Sequence, residues 1–565
     1  MTAGGRDYRV LTTYVDAWGR RREANPDTVR LLEVALGTGV RPAAGRPAVA
    51  APGRTPARPG ACHLPAAPRS WGWAAQLYAL RSKRSWGIGD MRDLRGLGTW
   101  SRGLGASFIQ LNPLHAVAPR PPLQASPYYP SSRRFRNPLY IAVEEVPGHR
   151  AVAADLEPLA RQARDLNGRR LLERDRVMEL KMRALETIWG TAPRTAGADA
   201  YAQFSGPGLD DYATYCALAE RHGADWRKWP ARLRRPGTLD VKRAAATLAP
   251  RIDFHRWVQW VLDHQLERAA RELPPVCDLA IGADPGGADG WIWSDVLIPG
   301  FSVGAPPDAM NLGGQDWGFP AFNPRSLAES GFTPFRDTVR ANLRHAFGLR
   351  IDHVMGLFRL WLIPHGAAAT EGAYVTYPAG PMLDILAAES QAARALIVGE
   401  DLGTVEPDVR TTLRRRRILS YRLLWFEARA PRAYPPLSLS SVTTHDLPTV
   451  AGVWTGFDEQ AMLAAGLQPN LEANREIVDR VAKFGRIERT ATAAEAVIAA
   501  YGALSRSPSR VLTATLEDAL VVPERPNIPG TVDEWPNWSL ALPGGLEGLR
   551  RSASARRLGA VMSGR

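Results

Sequence analysis

Three acidic residues, each directly behind a short apolar run, are the part of this sequence best suited to chemistry. Leu349-Arg350-Ile351 leads into Asp352 and His353, Ala395-Leu396-Ile397-Val398-Gly399 leads into Glu400 and Asp401, and Ser441-Val442-Thr443-Thr444 leads into His445 and Asp446. Aliphatic or β-branched runs with an abrupt polar end are the pattern of buried parallel strands. The acids are spaced 48 and 46 residues apart, room enough for helices and a further strand in each gap. Taken alone, an acid behind a strand is most often a helix cap or a turn residue. Three such ends, each with a second polar group alongside, predict a shared pocket, because parallel barrel strands all end at one mouth. Carboxyl groups gathered in this way suit sugar chemistry. One attacks the anomeric carbon, another protonates the leaving oxygen, and further groups hold the ring. Arg350 lies two residues before Asp352, so on a strand both side chains point the same way, and the guanidinium would keep that carboxylate ionised.

The strings Arg350-Ile351-Asp352-His353, Gly399-Glu400-Asp401-Leu402-Gly403 and Thr444-His445-Asp446 resemble the three catalytic segments of the 4-α-glucanotransferases. These are the amylomaltases of glycoside hydrolase family 77, relatives of the α-amylases. Further strings carry the same resemblance: Ser85-Trp86-Gly87-Ile88-Gly89-Asp90, Ser126-Pro127-Tyr128 with Asn137-Pro138, Gly304-Ala305-Pro306-Pro307-Asp308, Gly314-Gln315-Asp316-Trp317-Gly318, and Asn527-Ile528-Pro529-Gly530-Thr531 with Asn537-Trp538. It runs from about Trp71 to Leu542. It implies Asp352 as nucleophile, Glu400 as acid/base and Asp446 as the third acid, with His353 and His445 donating to sugar hydroxyls. It also implies sugar contacts from Ser126, Tyr128, Asp308, Gln315 and Trp317. Asp284, read as a strand-end acid, is a candidate of the same kind. The implied reaction moves a segment of 1,4-α-glucan (maltodextrin, starch or glycogen) to the 4-hydroxyl of another glucan, glucose or maltose, by retaining double displacement. Two rivals remain open: an α-amylase-like hydrolase using the same acids, and a non-catalytic glycan- or nucleic-acid-binding barrel.

The elements that must position these residues read as a TIM (β/α)8 barrel over residues 71–545. Strands are expected at Trp73–Leu77, Ser107–Leu111, Leu279–Gly282 and Ser420–Trp425, besides the runs before the three acids. Glycines at 87 and 89 permit a tight turn into a helix. Residues 151–275 read as an inserted helical subdomain. Within it Phe254, Trp257, Val258, Val261, Leu262, Leu266 and Ala269 recur on one helical face. At the start, Asn25-Pro26-Asp27 before Val29, Leu32 and Leu36, with Gly37 as a stop, predicts a short helix in an appendage of residues 1–40. Residues 41–70, rich in Ala, Pro, Arg and Gly, read as a linker with little to bury. Some longer members of the family carry a β-rich domain there. The Arg-rich stretch 546–565 reads as a tail without fixed structure.

Bulk properties narrow the function classes. The chain has 565 residues, 45% hydrophobic and 23% charged, with a net charge of +14. The excess positive charge is scattered arginine and follows no aromatic motif, which argues against nucleic acid. The three cysteines, Cys62, Cys216 and Cys277, are far apart and show neither disulfide nor zinc spacing. No metal and no cofactor are implied. The absence of a leader pattern and of a long apolar run points to a soluble, cytoplasmic protein without membrane contact. The 18 tryptophans suit ring-stacking on sugars as well as core packing.

Overall fold

A computed structural model describes residues 8–37, 60–66, 69–191, 198–308, 311–403 and 405–564. Eight parallel strands close into a barrel in chain order: β1 (Ser70–Ala75), β2 (Phe108–Leu111), β3 (Pro275–Leu279), β4 (Gly348–Ile351), β5 (Leu396–Gly399), β6 (Leu419–Leu423), β7 (Ser438–Ser441) and β8 (Val511–Thr515), with β8 pairing back onto β1. This is the TIM barrel that the periodicity and the resemblance imply. Register is tight around the site: Arg350 on β4 lies opposite Asp278 on β3 and Val398 on β5.

Two strands sit elsewhere than the sequence suggests. The first begins at Ser70 and ends at Ala75, where a 3-10 turn (Leu77–Ala79) takes over. That turn is possible because Gly89 lacks a side chain: a Cβ there would lie 1.9 Å from the Leu77 carbonyl oxygen and 2.3 Å from that of Leu80. The third runs from Pro275 to Leu279, four residues before the expected Leu279–Gly282. Its Asp278 interrupts an apolar run, which hid it from a reading based on hydrophobicity alone.

Between β2 and β3 lie helices at Ala153–Asp165, Arg174–Thr191, Ala198–Ala202, Leu209–His222, Leu239–Thr247 and Ala249–Glu272. The last buries the face that the spacing predicts, Phe254 through Ala269. Each such large apolar side chain contributes roughly 1.5–3 kcal/mol by leaving water. His255 on this helix is buried against Glu220, with Nε2 at 3.1 Å from a carboxylate oxygen. The helix Met91–Gly103 starts at Asp90, whose side chain accepts from the N–H groups of Arg92 and Asp93 while Asp93 answers the Asp90 N–H. That reciprocal cap fixes the exit of the glycine turn.

The long segments after β3 and β4 build a second sheet over the barrel mouth. Its strands, in spatial order, are Ala373–Thr376, Arg359–Pro364, Phe301–Ala305 and Gln315–Phe319, all antiparallel. The N-terminal piece joins this sheet at its outer edge. The Leu11 N–H donates to the Tyr374 carbonyl at 2.8 Å and the Thr376 N–H to that of Arg9 at 2.9 Å. A hairpin (Thr13–Val15 with Arg21–Glu23) and a helix (Pro26–Gly37) follow, and Val29, Leu32 and Leu36 of that helix are buried. Most of the expected linker, residues 41–59, 67 and 68, lies outside the described residues.

At the other end, residues 545–563 form two helices where a loose tail was expected. Ala555, Leu558 and Met562 are buried, and Trp71 of β1 donates from Nε1 to Ser563 Oγ at 3.0 Å. Apolar groups at i, i+3 and i+7 secure this end despite the arginines between them. No helix among the described residues is long and apolar enough to cross a membrane.

Candidate active site

Asp352 is the first residue after β4 and Glu400 the first after β5, while Asp446 follows β7 by five residues. All three stand at the strands' C-terminal ends, and the barrel ladder continues into two of them. The Asp352 N–H donates to the Leu279 carbonyl at 3.1 Å, and the Glu400 N–H to that of Ile351 at 3.0 Å.

A continuous chain of polar contacts links the acids. Arg350, with its side chain 6% exposed, places Nη1 2.7 and 2.8 Å from the two oxygens of Asp278 and 3.1 Å from Asp352 Oδ1. Asp278 also accepts from the Tyr128 hydroxyl at 2.7 Å, and that hydroxyl lies 3.5 Å from His445 Nδ1. The His445 ring sits against the rings of Tyr128 and Trp538, with centroids 4.9 and 5.2 Å away. On its far side His445 Nε2 is 3.2 Å from Asp446 Oδ2, while Asn527 donates to Asp446 Oδ1 at 2.7 Å. Asp446 is 44% exposed, which opens it to the cleft.

Glu400 is held by main-chain donors. The Leu402 N–H reaches Oε1 at 2.7 Å and the His353 N–H reaches Oε2 at 2.9 Å. His353 turns that N–H toward Glu400 by adopting φ +47°, a left-handed conformation that costs a non-glycine residue about 1 kcal/mol or more. Gly399 permits the close approach, since a Cβ there would meet the Val354 side chain at 2.9 Å.

The electrostatics separate the acids into different roles. Glu400 is part-buried by the surrounding protein. Loss of hydration pushes its carboxyl up to about 7; Arg350 opposes this, the Asp352 charge adds to it, and the two N–H bonds again oppose it. For Asp446, burial raises the carboxyl, but His445 and the bonds from His445 and Asn527 outweigh it and hold the group below the ordinary range. His445 moves up: the Asp446 charge overcomes the burial that would lower it. His353 moves down, through burial first, with Asp352 opposing and Arg359 assisting. A proton donor with its pKa near neutrality beside an ionised neighbour is the division of labour that glycosyl transfer requires.

The other residues singled out from sequence fall into two groups. Tyr128 is inside the chain of contacts. Trp317 joins it by an edge-on ring contact with His353 at 5.3 Å, and donates from Nε1 to Gln315 Oε1 at 2.9 Å, so Gln315 sets the indole. Ser126 Oγ accepts from the Tyr128 N–H at 3.2 Å and thereby shapes the turn that carries the tyrosine. Asp308 Oδ1 accepts from the Asn311 N–H at 2.7 Å, within its own loop. Asp284 takes no part in that chain of contacts. It follows β3 by five residues, accepts from the Gly286 N–H at 2.8 Å, and lies in the field of Arg227 and Asp225. The misplaced third strand explains this: the acid that β3 contributes to the contacts is Asp278, inside the barrel. Asp278, Asn527 and Trp538 are the contacts that sequence reasoning missed. The signal for Asp278 was a lone charge inside an apolar strand run, and the other two stood in a recognised string without being assigned a part.

A family model for the 4-alpha-glucanotransferases of glycoside hydrolase family 77 matches residues 75–546. The 4-alpha-glucanotransferase of Mycobacterium tuberculosis strain H37Rv is 44% identical over 520 residues, covering 84% of this chain and 71% of its own. That of Haemophilus influenzae is 32% identical over 523 residues, covering 83% and 74%. Among solved structures, the amylomaltase from Corynebacterium glutamicum superposes with a TM-score of 0.84 over 98% of each chain at 29% identity. The amylomaltase from Streptococcus agalactiae, solved in complex with acarbose, shares the fold with a TM-score of 0.72 over 87% of this chain and 99% of its own at 17% identity. The barrel, its acids and these likenesses converge, and the chain belongs to the 4-alpha-glucanotransferase family, glycoside hydrolase family 77.

Proposed function

We propose that Asp352 is the nucleophile, Glu400 the acid/base and Asp446 the third acid of a retaining transfer of 4-α-glucan segments. The observation that carries this reading is the unbroken run of contacts from Asp446 through His445, Tyr128, Asp278 and Arg350 to Asp352 and, by one peptide N–H, to Glu400. In the first step an Asp352 oxygen bonds to C1 of the donor sugar, the C1–O4 bond breaks, and Glu400 delivers its proton to O4 of the departing segment. In the second step Glu400, now a carboxylate, takes the proton from an acceptor 4-hydroxyl while that oxygen replaces Asp352 at C1. Bonding Asp352 to the sugar removes the negative charge that helps hold Glu400 protonated. Glycosylation thus readies the acid to become the base. A separation of about 5–5.5 Å between the two carboxyl groups belongs to this mechanism.

Arg350 keeps Asp352 in place. Tyr128, His353, His445, Asp446 and Trp317 contact the sugar, Ser126 and Gln315 set two of those rings, and Asp308 shapes the loop beside them. Asp278 and Asn527 join this set. Asp284 stays outside it. The substrates are maltodextrins and starch- or glycogen-type α-glucans, with glucose or maltose as short acceptors. Transfer prevails over hydrolysis when a sugar is well oriented and water is excluded. Trp317, packed over His353 by the second sheet, supports that preference. Incubation with maltotriose tests it: longer oligosaccharides appearing with glucose, at constant total reducing ends, are expected. A steady rise in reducing ends means that the hydrolytic rival is right.

A further inference from the structure

Glu400 is held by the loop that follows it, and among the described residues an ion pair ties that loop to the second sheet. The Leu402 N–H that grips Glu400 belongs to the stretch between β5 and the helix Pro407–Arg415. At its start, Asp401 is buried and accepts from the Tyr421 N–H of β6 at 2.8 Å. At its end, Glu406 meets Arg359 Nη1 at 2.8 Å. Arg359 opens the sheet strand Arg359–Pro364 and is only 8% exposed, whereas the Glu406 side chain is 52% exposed. The guanidinium lies 4.1 Å from the centre of the Tyr374 ring.

That ring is in turn fixed from the N-terminal side. Tyr14 packs edge-on against Tyr374 and Trp361, with centroids 5.9 and 4.9 Å away, and the Tyr374 main chain is bonded by Leu11. Thr376, which pairs with Arg359 in the sheet, is held by Arg9 through its main chain and through its hydroxyl at 2.8 Å. Arg359 therefore has its aromatic bed and its strand partner both clamped by residues 9–14. An exposed ion pair contributes little by itself. One whose cation is buried, stacked and immobilised instead fixes the position of its partner.

We propose that Arg359 is a positioning residue, which acts through Glu406 to hold the loop after β5 so that the Glu400 proton points at the leaving oxygen. This rests on Glu400 being the acid, and the experiment separates failure of the one from failure of the other. Single-turnover rates are measured with two donors, maltotriose and α-maltotriosyl fluoride. With the fluoride the C1–F bond breaks as an Asp352 oxygen bonds to C1, and fluoride leaves as the anion without needing a proton. Glu400→Gln should lose about 10²- to 10⁴-fold on maltotriose and far less on fluoride release. Arg359→Met and Glu406→Gln should each lose about 3- to 30-fold on maltotriose while fluoride release stays within twofold of wild type. The double variant should be no slower than the slower single one, since both remove one contact. Glu406→Gln changes a half-exposed group and keeps the test valid if Arg359→Met does not fold. If Glu400→Gln slows both donors equally, the acid assignment fails. If Glu400→Gln discriminates between donors and Glu406→Gln does not, or if the two brace variants add, Arg359 is structural only and the proposal falls.

Discussion

Arg350 spends a single nitrogen on both oxygens of Asp278, at 2.7 and 2.8 Å, and reaches Asp352 with the same atom at 3.1 Å. A buried guanidinium shared in this way neutralises a carboxylate inside the barrel and orients another at its mouth. Removing Asp278 would leave Arg350 buried with one partner and Tyr128 without its acceptor. Breaking a buried pair typically costs about 3–5 kcal/mol. Asp278→Ala should lower stability by an amount of that order, read as a shift in the urea midpoint. Asp278→Asn, which keeps an acceptor for Tyr128, should cost less.

Asp352→Asn should abolish nearly all turnover while maltoheptaose still binds, measured by calorimetry on the variant. The substitution also removes the negative charge beside Glu400. Wild-type-like turnover would refute the nucleophile assignment.

The activity should fall on the alkaline side near pH 7. As the proposed acid, Glu400 must carry a proton at the start of the cycle, and its carboxyl is pushed up to about 7, by burial first and with help from Asp352. The logarithm of kcat/KM should drop by one per pH unit above that point. In Glu400→Gln the limb should vanish. A limb that survives in that variant belongs to another group.

Glu517 should make the fold less stable as pH rises. It follows β8 by two residues, is 5% exposed, and burial pushes its carboxyl from 4.5 up to about 7. The folded state thus binds this proton more tightly than the unfolded one. Its contribution is fully favourable below about 4.5 and is lost as pH climbs from there through about 7. A shift of this size is worth on the order of 3 kcal/mol. Glu517→Gln should flatten the dependence of the unfolding free energy on pH across that window, as measured by urea titrations at pH 5 and pH 8.

Trp317→Ala should raise the share of hydrolysis. The indole packs edge-on against His353 from the second sheet, and its loss should open the proposed nucleophile's side of the cleft to water. The maltotriose assay should then show reducing ends accumulating several-fold faster relative to transfer products. An unchanged ratio would place water exclusion elsewhere.

The barrel was legible because buried parallel strands write themselves as short apolar runs with polar ends, and the runs before Asp352 and Glu400 stop within one residue of the observed ends. Periodicity also located the helix through Phe254 and Trp257. It failed where chemistry interrupts hydrophobicity. Asp278 sits inside β3 because Arg350 is there to neutralise it, a fact that lives on another strand 72 residues away. The same ignorance of partners promoted Asp284. The second sheet was invisible for a related reason: strands such as Gln315–Phe319 are held by their neighbours and their own bulges, with little apolar alternation to announce them. The C-terminal helices were misjudged by counting arginines and overlooking Ala555, Leu558 and Met562 at helical spacing.

The seam between Arg9–Leu11 and Ala373–Thr376 has a colloidal consequence. An uncovered strand edge offers a row of unpaired amides to any neighbouring molecule and invites sheet-to-sheet growth. By lying along that rim, the first described residues of the chain occupy the place where another copy would otherwise stick. A version of the enzyme trimmed back to the barrel would therefore be expected to clump in concentrated solution, even with its acids intact.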